Sequence, residues 1–188
     1  LINYRFEPAN AIGVSDGEMT DITLPYKYAF EGALYIGNEQ KISSLTLAYG
    51  LRYSYYSYYG PGDKYEFGVP LSSGDRRPLI SENKVGKSES IQNYSSLEPR
   101  VSLNVLLGNT SSLKASYNRM TQYIHLLSNT AASSSLDVWT PSTNNIKPEI
   151  ADAYVLGYFK NFKNNTYEAS LELYYKDLQN QIDYIDGA

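Results

Sequence analysis

The chain has 188 residues, with 16 lysines and arginines against 20 aspartates and glutamates, a formal net charge of −4, no cysteine and one histidine. Disulfides, thiolate metal sites and multi-histidine centres are thereby excluded, no cofactor is expected, and the scattered basic residues lack the electrostatic footprint of a nucleic-acid binder. No apolar run approaches the roughly 20 residues of a membrane helix. The aromatic content, 20 Tyr against 5 Phe and 1 Trp, favours side chains with an apolar ring and a polar tip, which settle where hydrocarbon meets water.

In chain order, a first strand is expected near 1–7 and a polar loop over 8–24. Asp16, Glu18 and Asp21 in that loop lack the regular spacing of a calcium loop and read as a solvated acidic stretch. The second strand, near 25–41, sets Tyr26, Tyr28, Phe30, Leu34 and Ile36 against Lys27, Ala29 and Glu31. After a Ser43-Ser44 turn comes LTLAYGLRYSYYSYYG, residues 45–60, with six tyrosines in sixteen positions. Its alternate residues run Leu45, Leu47, Tyr49, Leu51, Tyr53, Tyr55 on one side and Thr46, Ala48, Gly50, Arg52, Ser54, Tyr56 on the other. Such alternation is that of an extended strand. It persists for about twice the 5–6 residues usual in soluble sheets, the length a tilted strand needs to cross a bilayer. Leucine giving way to tyrosine marks the exit from lipid.

A long irregular stretch, 60–93, follows, rich in Gly, Pro and Ser and carrying Tyr65, Phe67, Asp75, Arg76 and Arg77. The strand near 94–107 places Leu97, Val101, Leu103, Val105 and Leu107 opposite Glu98, Arg100, Ser102 and Asn104. The Gly108-Asn109-Thr110-Ser111 cluster reads as a turn into a strand near 112–127. There Arg119 falls on the apolar parity of Leu113, Ala115 and Tyr117, and a bulge near Asn118 to Thr121 is expected to correct the slip. A loop over 128–148 carries Trp139. Strands near 149–162 and 167–185 flank a Lys163-Asn164-Asn165-Thr166 turn. Lys160 shares the parity of Tyr154, Leu156, Tyr158 and Phe162, close enough to that turn for its stem to reach water.

Short turns alternating with long loops give an all-β, antiparallel, up-and-down transmembrane barrel segment of about seven strands, turns on one side of the membrane and loops on the other. Seven strands would leave two open edges, so further strands of the same barrel domain are expected outside residues 1–188. The first residues, LINYRFEP, show no signal peptide.

Several words of the sequence, YGLRYS, SLEPRVSL, SLKASYNRMTQYIHLLSNT, LDVWTPSTNNIKPEIADAY, LGYFKNF and YEASLELYYKDLQNQIDYIDGA, resemble the barrels of TonB-dependent receptors of the Bacteroidetes outer-membrane type. The resemblance covers most of 25–188. It implies a bacterial outer-membrane importer of a nutrient of the siderophore, cofactor or glycan class, without enzymatic activity. It also implies a plug inside a 22-stranded barrel, a TonB energising complex acting through that plug, a possible surface lipoprotein partner, and lipid around the barrel. Neither plug nor TonB-contacting box is in this sequence. Candidate ligand contacts, from loops or lumen, are Arg52, Tyr65, Arg76, Arg77, Arg100 and Trp139. Glu98, Lys114, Glu168 and Glu172 belong to the same lumenal parity, where pairing within the wall is the commoner role.

Two other readings compete. An outer-membrane barrel enzyme would bring His125 together with Ser128 and Asp137. A soluble glycan-binding module would bury Leu45, Leu47, Leu51, Leu103 and Leu171 between two sheets. The barrel reading expects Leu51→Asp or Tyr53→Asp to impair membrane assembly and Ser54→Asp to be better tolerated.

Overall fold

A computed structural model describes residues 1–7, 25–70, 76–127 and 138–182. The acidic residues Asp16, Glu18 and Asp21, together with Asp75, Ser128, Asp137 and the 183–185 end of the last expected strand, lie outside the described residues.

The described residues form eleven strands: β1 (Ile2–Phe6), β2 (Lys27–Ile42), β3 (Leu45–Tyr59), β4 (Gly62–Phe67), β5 (Leu79–Val85), β6 (Ser90–Leu106), β7 (Ser111–Gln122), β8 (Ile124–Leu127), β9 (Val138–Pro141), β10 (Glu149–Phe162) and β11 (Tyr167–Gln179). Seven form one curled antiparallel sheet in the order β1-β2-β3-β6-β7-β10-β11, a half-barrel. The β4–β5 and β8–β9 pairs are separate hairpins at the loop end. Two sequence expectations are corrected here. Part of the 60–93 stretch is the β4–β5 hairpin, and the 112–127 strand breaks at Tyr123, because beyond Gln122 the chain leaves the large sheet and pairs instead with β9.

The tight turns carry left-handed backbone. Ser43 has φ 54°, Gly108 φ 80°, and Lys163, Asn164 and Asn165 have φ 45°, 51° and 66°. Glycine meets no Cβ penalty there, and asparagine tolerates the region through local hydrogen bonding. Because each turn is short, consecutive strands lie antiparallel and in register, and side chains directly opposite share a face.

One such row runs from Tyr49 through Val101, Tyr117 and Tyr154 to Tyr175. The Tyr117 and Tyr154 ring centroids are 4.9 Å apart, and those of Tyr154 and Tyr175 6.2 Å. The next rows toward the turns hold Leu47, Leu103, Ala115, Leu156 and Leu173, then Leu45, Val105, Leu113, Tyr158 and Leu171. This face is covered by no second sheet among the described residues: Leu171 is 65% and Leu51 41% exposed, and Leu45, Leu47 and Leu103 are not buried either. The soluble sandwich reading is thereby overturned. An apolar band edged by tyrosine is the outer surface of a barrel in lipid.

The expected bulge near Asn118 to Thr121 is absent: β7 and β10 pair without a register shift from Ser111↔Lys160 to Gln122↔Glu149. Arg119 therefore stays on the outer face, directly opposite Asp152. The carboxylate accepts Arg119 Nε at 2.8 Å, Nη2 at 2.7 Å and the Tyr117 hydroxyl at 2.7 Å. A bidentate partner neutralises the guanidinium where the tyrosine girdle ends, which removes the need for the strand to twist it inward. Asp152→Ala is expected to destabilise the assembled barrel by about 1 kcal/mol, the cost of an unpaired arginine near the interface. Arg119→Met in the same background should recover most of that loss in a guanidinium titration; additive losses in the double variant would contradict the pairing. Lys160 behaves as its position predicts, its Nζ reaching Thr110 Oγ1 at 3.0 Å and Ser111 Oγ at 2.9 Å beside the turn.

Candidate functional site

On the opposite parity the side chains face the hollow of the sheet. Low on this face, Tyr35 lies flat across Gly37 and Gly50, which sit opposite each other in β2 and β3. A side chain at either glycine would occupy the space of its ring. Nearer the loops the face becomes charged. Arg52 Nη1 donates to both oxygens of Glu98, at 2.7 and 2.8 Å, and its Nη2 to Glu31 Oε1 at 3.2 Å. Glu98 is 1% exposed and also accepts the Ser54 hydroxyl at 2.7 Å, while Tyr4 donates to Glu31 Oε2 at 3.2 Å. Adjacent strands impose this arrangement, since Arg52 pairs in register with Glu98 on β6 and Tyr35 on β2, two inner positions from Glu31.

Above this ion cluster the chain from β9 onward folds against the inner face. Lys27 Nζ donates to Thr140 Oγ1 at 3.3 Å, the Tyr56 hydroxyl to the Ser142 carbonyl at 3.1 Å and the Tyr94 hydroxyl to the Thr143 carbonyl at 2.6 Å. All three donors share the parity of Arg52 and Glu98, so residues 140–143 lie within the curve of the sheet. The Ser142 amide donates to the Tyr123 carbonyl at 2.7 Å. Tyr123 stacks on Tyr56 with centroids 4.8 Å apart and planes 4° from parallel, and its hydroxyl lies 2.7 Å from Ser54 Oγ. His125, 2% exposed, places Nε2 2.9 Å from Ser142 Oγ. Burial pushes this imidazole below its usual pKa, opposed in part by the Glu149 carboxylate. Hydrogen bonds thus run from His125 to Ser142, from the Ser142 amide to Tyr123, and from the Tyr123 hydroxyl through Ser54 to Glu98, Arg52 and Glu31, with Tyr56 joining at the Ser142 carbonyl.

The β4–β5 hairpin and the segment that follows β9 meet at the mouth. Asn144 and Asn145 both donate side-chain amides to the Tyr65 carbonyl, at 2.6 and 2.8 Å. Of the candidate ligand contacts, Tyr65 on β4 and Trp139 on β9 are exposed on the two hairpins, Trp139 at 55%, and Arg76 and Arg77 are exposed in the connection leading to β5. Arg100 is exposed on the inner face below the ion cluster, in a hollow it shares with Tyr35, Glu39 and Asn118. Arg52 is apart from them, its guanidinium already occupied by two carboxylates. The six do not converge on one point. Lys114 stacks over Phe159 at 4.3 Å, on a lower part of the same face.

The sequence places Glu98 and Arg52 on the lumenal parity, with Arg52 also a candidate ligand contact, and the structure pairs the two with each other. Sequence reasoning missed Glu31, Tyr123 and Ser142, and it assigned His125 only to a strand end or a catalytic group. The one available signal was the loss of alternation after Gln122. The expectation for Ser54→Asp reverses: Ser54 is fully buried between Glu98 and Tyr123, and a second carboxylate there would meet Glu98 without solvent.

Long alternating strands, short turns at one end, hairpins at the other and an apolar outer face over a polar hollow define the wall of an outer-membrane β-barrel. Residues 2–188 match the family described as TonB dependent receptor-like, beta-barrel. The chain belongs to that family, whose members are receptors and transporters of the bacterial outer membrane that act with TonB. No curated protein and no solved structure matches it.

Proposed function

We propose that this wall serves import of a nutrient of the siderophore, cofactor or glycan class, and that the mouth built by the two hairpins is where ligand is first held. The observation that carries this reading is the joining of β4–β5 to the 140–146 segment through Tyr65, which sets an exposed aromatic and basic surface over the lumen. Trp139 and Tyr65 supply flat apolar faces, and Arg76 and Arg77 supply fork-shaped donors for anionic or hydroxyl-rich groups. Arg100 offers a further cation on the way down. Arg52 acts as a pillar of the wall, because withdrawing it from Glu98 would leave a buried carboxylate without its counter-ion. Further strands of the same barrel close the open edges at β1 and β11, a plug fills the hollow, TonB pulls on the plug, and a surface lipoprotein can cover the mouth.

The test is uptake by cells carrying the whole receptor, with a labelled ferric siderophore, cobalamin and an oligosaccharide as probes. One class is expected to accumulate, and only while the inner membrane is energised. Trp139→Ala combined with Arg76→Ala and Arg77→Ala should reduce uptake about tenfold at low ligand, as loss of exposed anchor residues does. Uptake of every probe at the rate of cells lacking the receptor, or an unchanged rate in the triple variant, would count against this reading.

A further inference from the structure

We propose that residues 138–146 form an acid-released cap over the lumen mouth, held shut by neutral His125 beneath it. This rests on the reading of the mouth as an entry, and adds its regulation. The geometry is that of a latch: the segment touches the wall through four polar contacts, from Lys27, Tyr56, Tyr94 and the Tyr123 carbonyl, and its β9 strand pairs with the short β8 that carries His125. His125 is enclosed on that pairing, directly opposite Thr140, with Nε2 against Ser142 Oγ. Ser142 is itself fully buried and is tied by its amide to Tyr123 and by its carbonyl to Tyr56. A proton on His125 thus falls where the cap and the wall are sewn together.

The groups that face this hairpin decide what the proton meets. From β2 it is Lys27, a cation bonded to the residue opposite His125; from β3 and β6 the neutral phenols Tyr56 and Tyr94; from the β7 side Tyr123; from β10 the carboxylate of Glu149. Glu31, Glu98 and Arg52 lie deeper and are engaged with one another. Burial is the larger influence and disfavours the charged ring, with the Glu149 carboxylate opposing it only in part. The closed form then binds fewer protons than an open form in which His125 is solvated. Between the lowered pKa and the ordinary value of about 6.5, acid favours opening, and closure is complete only above that window.

Hydrogen exchange on the whole receptor in lipid vesicles, corrected for the intrinsic pH effect on amide exchange, reads this directly. Between about pH 7.5 and about pH 5, protection of the 138–146 amides is expected to fall about tenfold, with β3 and β6 unchanged. In His125→Gln, which keeps a side-chain donor for Ser142 but does not titrate, the fall should be under about twofold. Equal protection of 138–146 at both pH values in the wild type, or the same fall in His125→Gln, overturns the proposal. If that variant does not assemble, His125→Asn replaces it, and if neither assembles the wild-type midpoint decides alone: a midpoint outside about pH 5–7 excludes an imidazole as the sensor. Uptake plays no part in this readout, so a pH-blind cap on a working importer and a pH-sensitive cap on a barrel that imports nothing give distinct results.

Discussion

Leu171→Arg is expected to cost the assembled barrel about 2–4 kcal/mol, whereas Tyr167→Arg on the same strand and face should cost about 0–1 kcal/mol. The contrast comes from depth. Tyr167 and Tyr175 bracket Leu171 on β11, and all three are exposed on the outer face. Eight residues at roughly 3.3 Å each, tilted about 40°, span about 20 Å, close to the height of an apolar band between two aromatic girdles. Leu171 sits halfway. An arginine there has no interface within reach of its stem, but one at Tyr167 lies beside the Lys163 to Thr166 turn. Denaturant titration of the receptor in lipid vesicles measures both. Equal losses at the two sites would mean that this surface is not graded by membrane depth, and the outer-face assignment would go with it.

Glu98→Ala is expected to destabilise the wall by about 3 kcal/mol, the lower end for breaking a buried ion pair because Glu31 still holds Arg52. Two hydrogen bonds to the guanidinium and one from Ser54 disappear together, and Ser54 keeps only Tyr123. The double variant Arg52→Met with Glu98→Leu should be closer to wild type than Glu98→Ala alone, since both charges leave and apolar volume returns. If the double variant is the worse of the two, the pair contributes net attraction beyond its desolvation cost, and Arg52 is more than a pillar. Ser54→Asp belongs with the severe changes.

Most of the sheet was legible in the residues. Alternation in β2, β3, β6, β10 and β11 placed leucine and tyrosine outside and charges inside, because a pleated strand allows no other separation of the two. The three tight turns were marked by short polar clusters, in two of which Gly108 and the Asn164-Asn165 pair suit positive φ. Arg119 was misread because alternation registers a charge on the wrong face but is blind to Asp152, its partner thirty-three positions away. The β4–β5 hairpin was missed because its short strands alternate too briefly to stand out from the turn residues around them.

The exterior of this barrel wall was therefore written locally, residue by second residue, since lipid sorts side chains by face without reference to their neighbours on other strands. The mouth was not. His125 meets Ser142, Tyr56 reaches the Ser142 carbonyl and Asn144 finds the Tyr65 carbonyl across 17, 86 and 79 positions. Such contacts arise only when strands far apart in the chain curl around one hollow and a hairpin returns into it. Most buried polar groups find a partner wherever folding brings one, and no periodicity in the sequence records which one that will be.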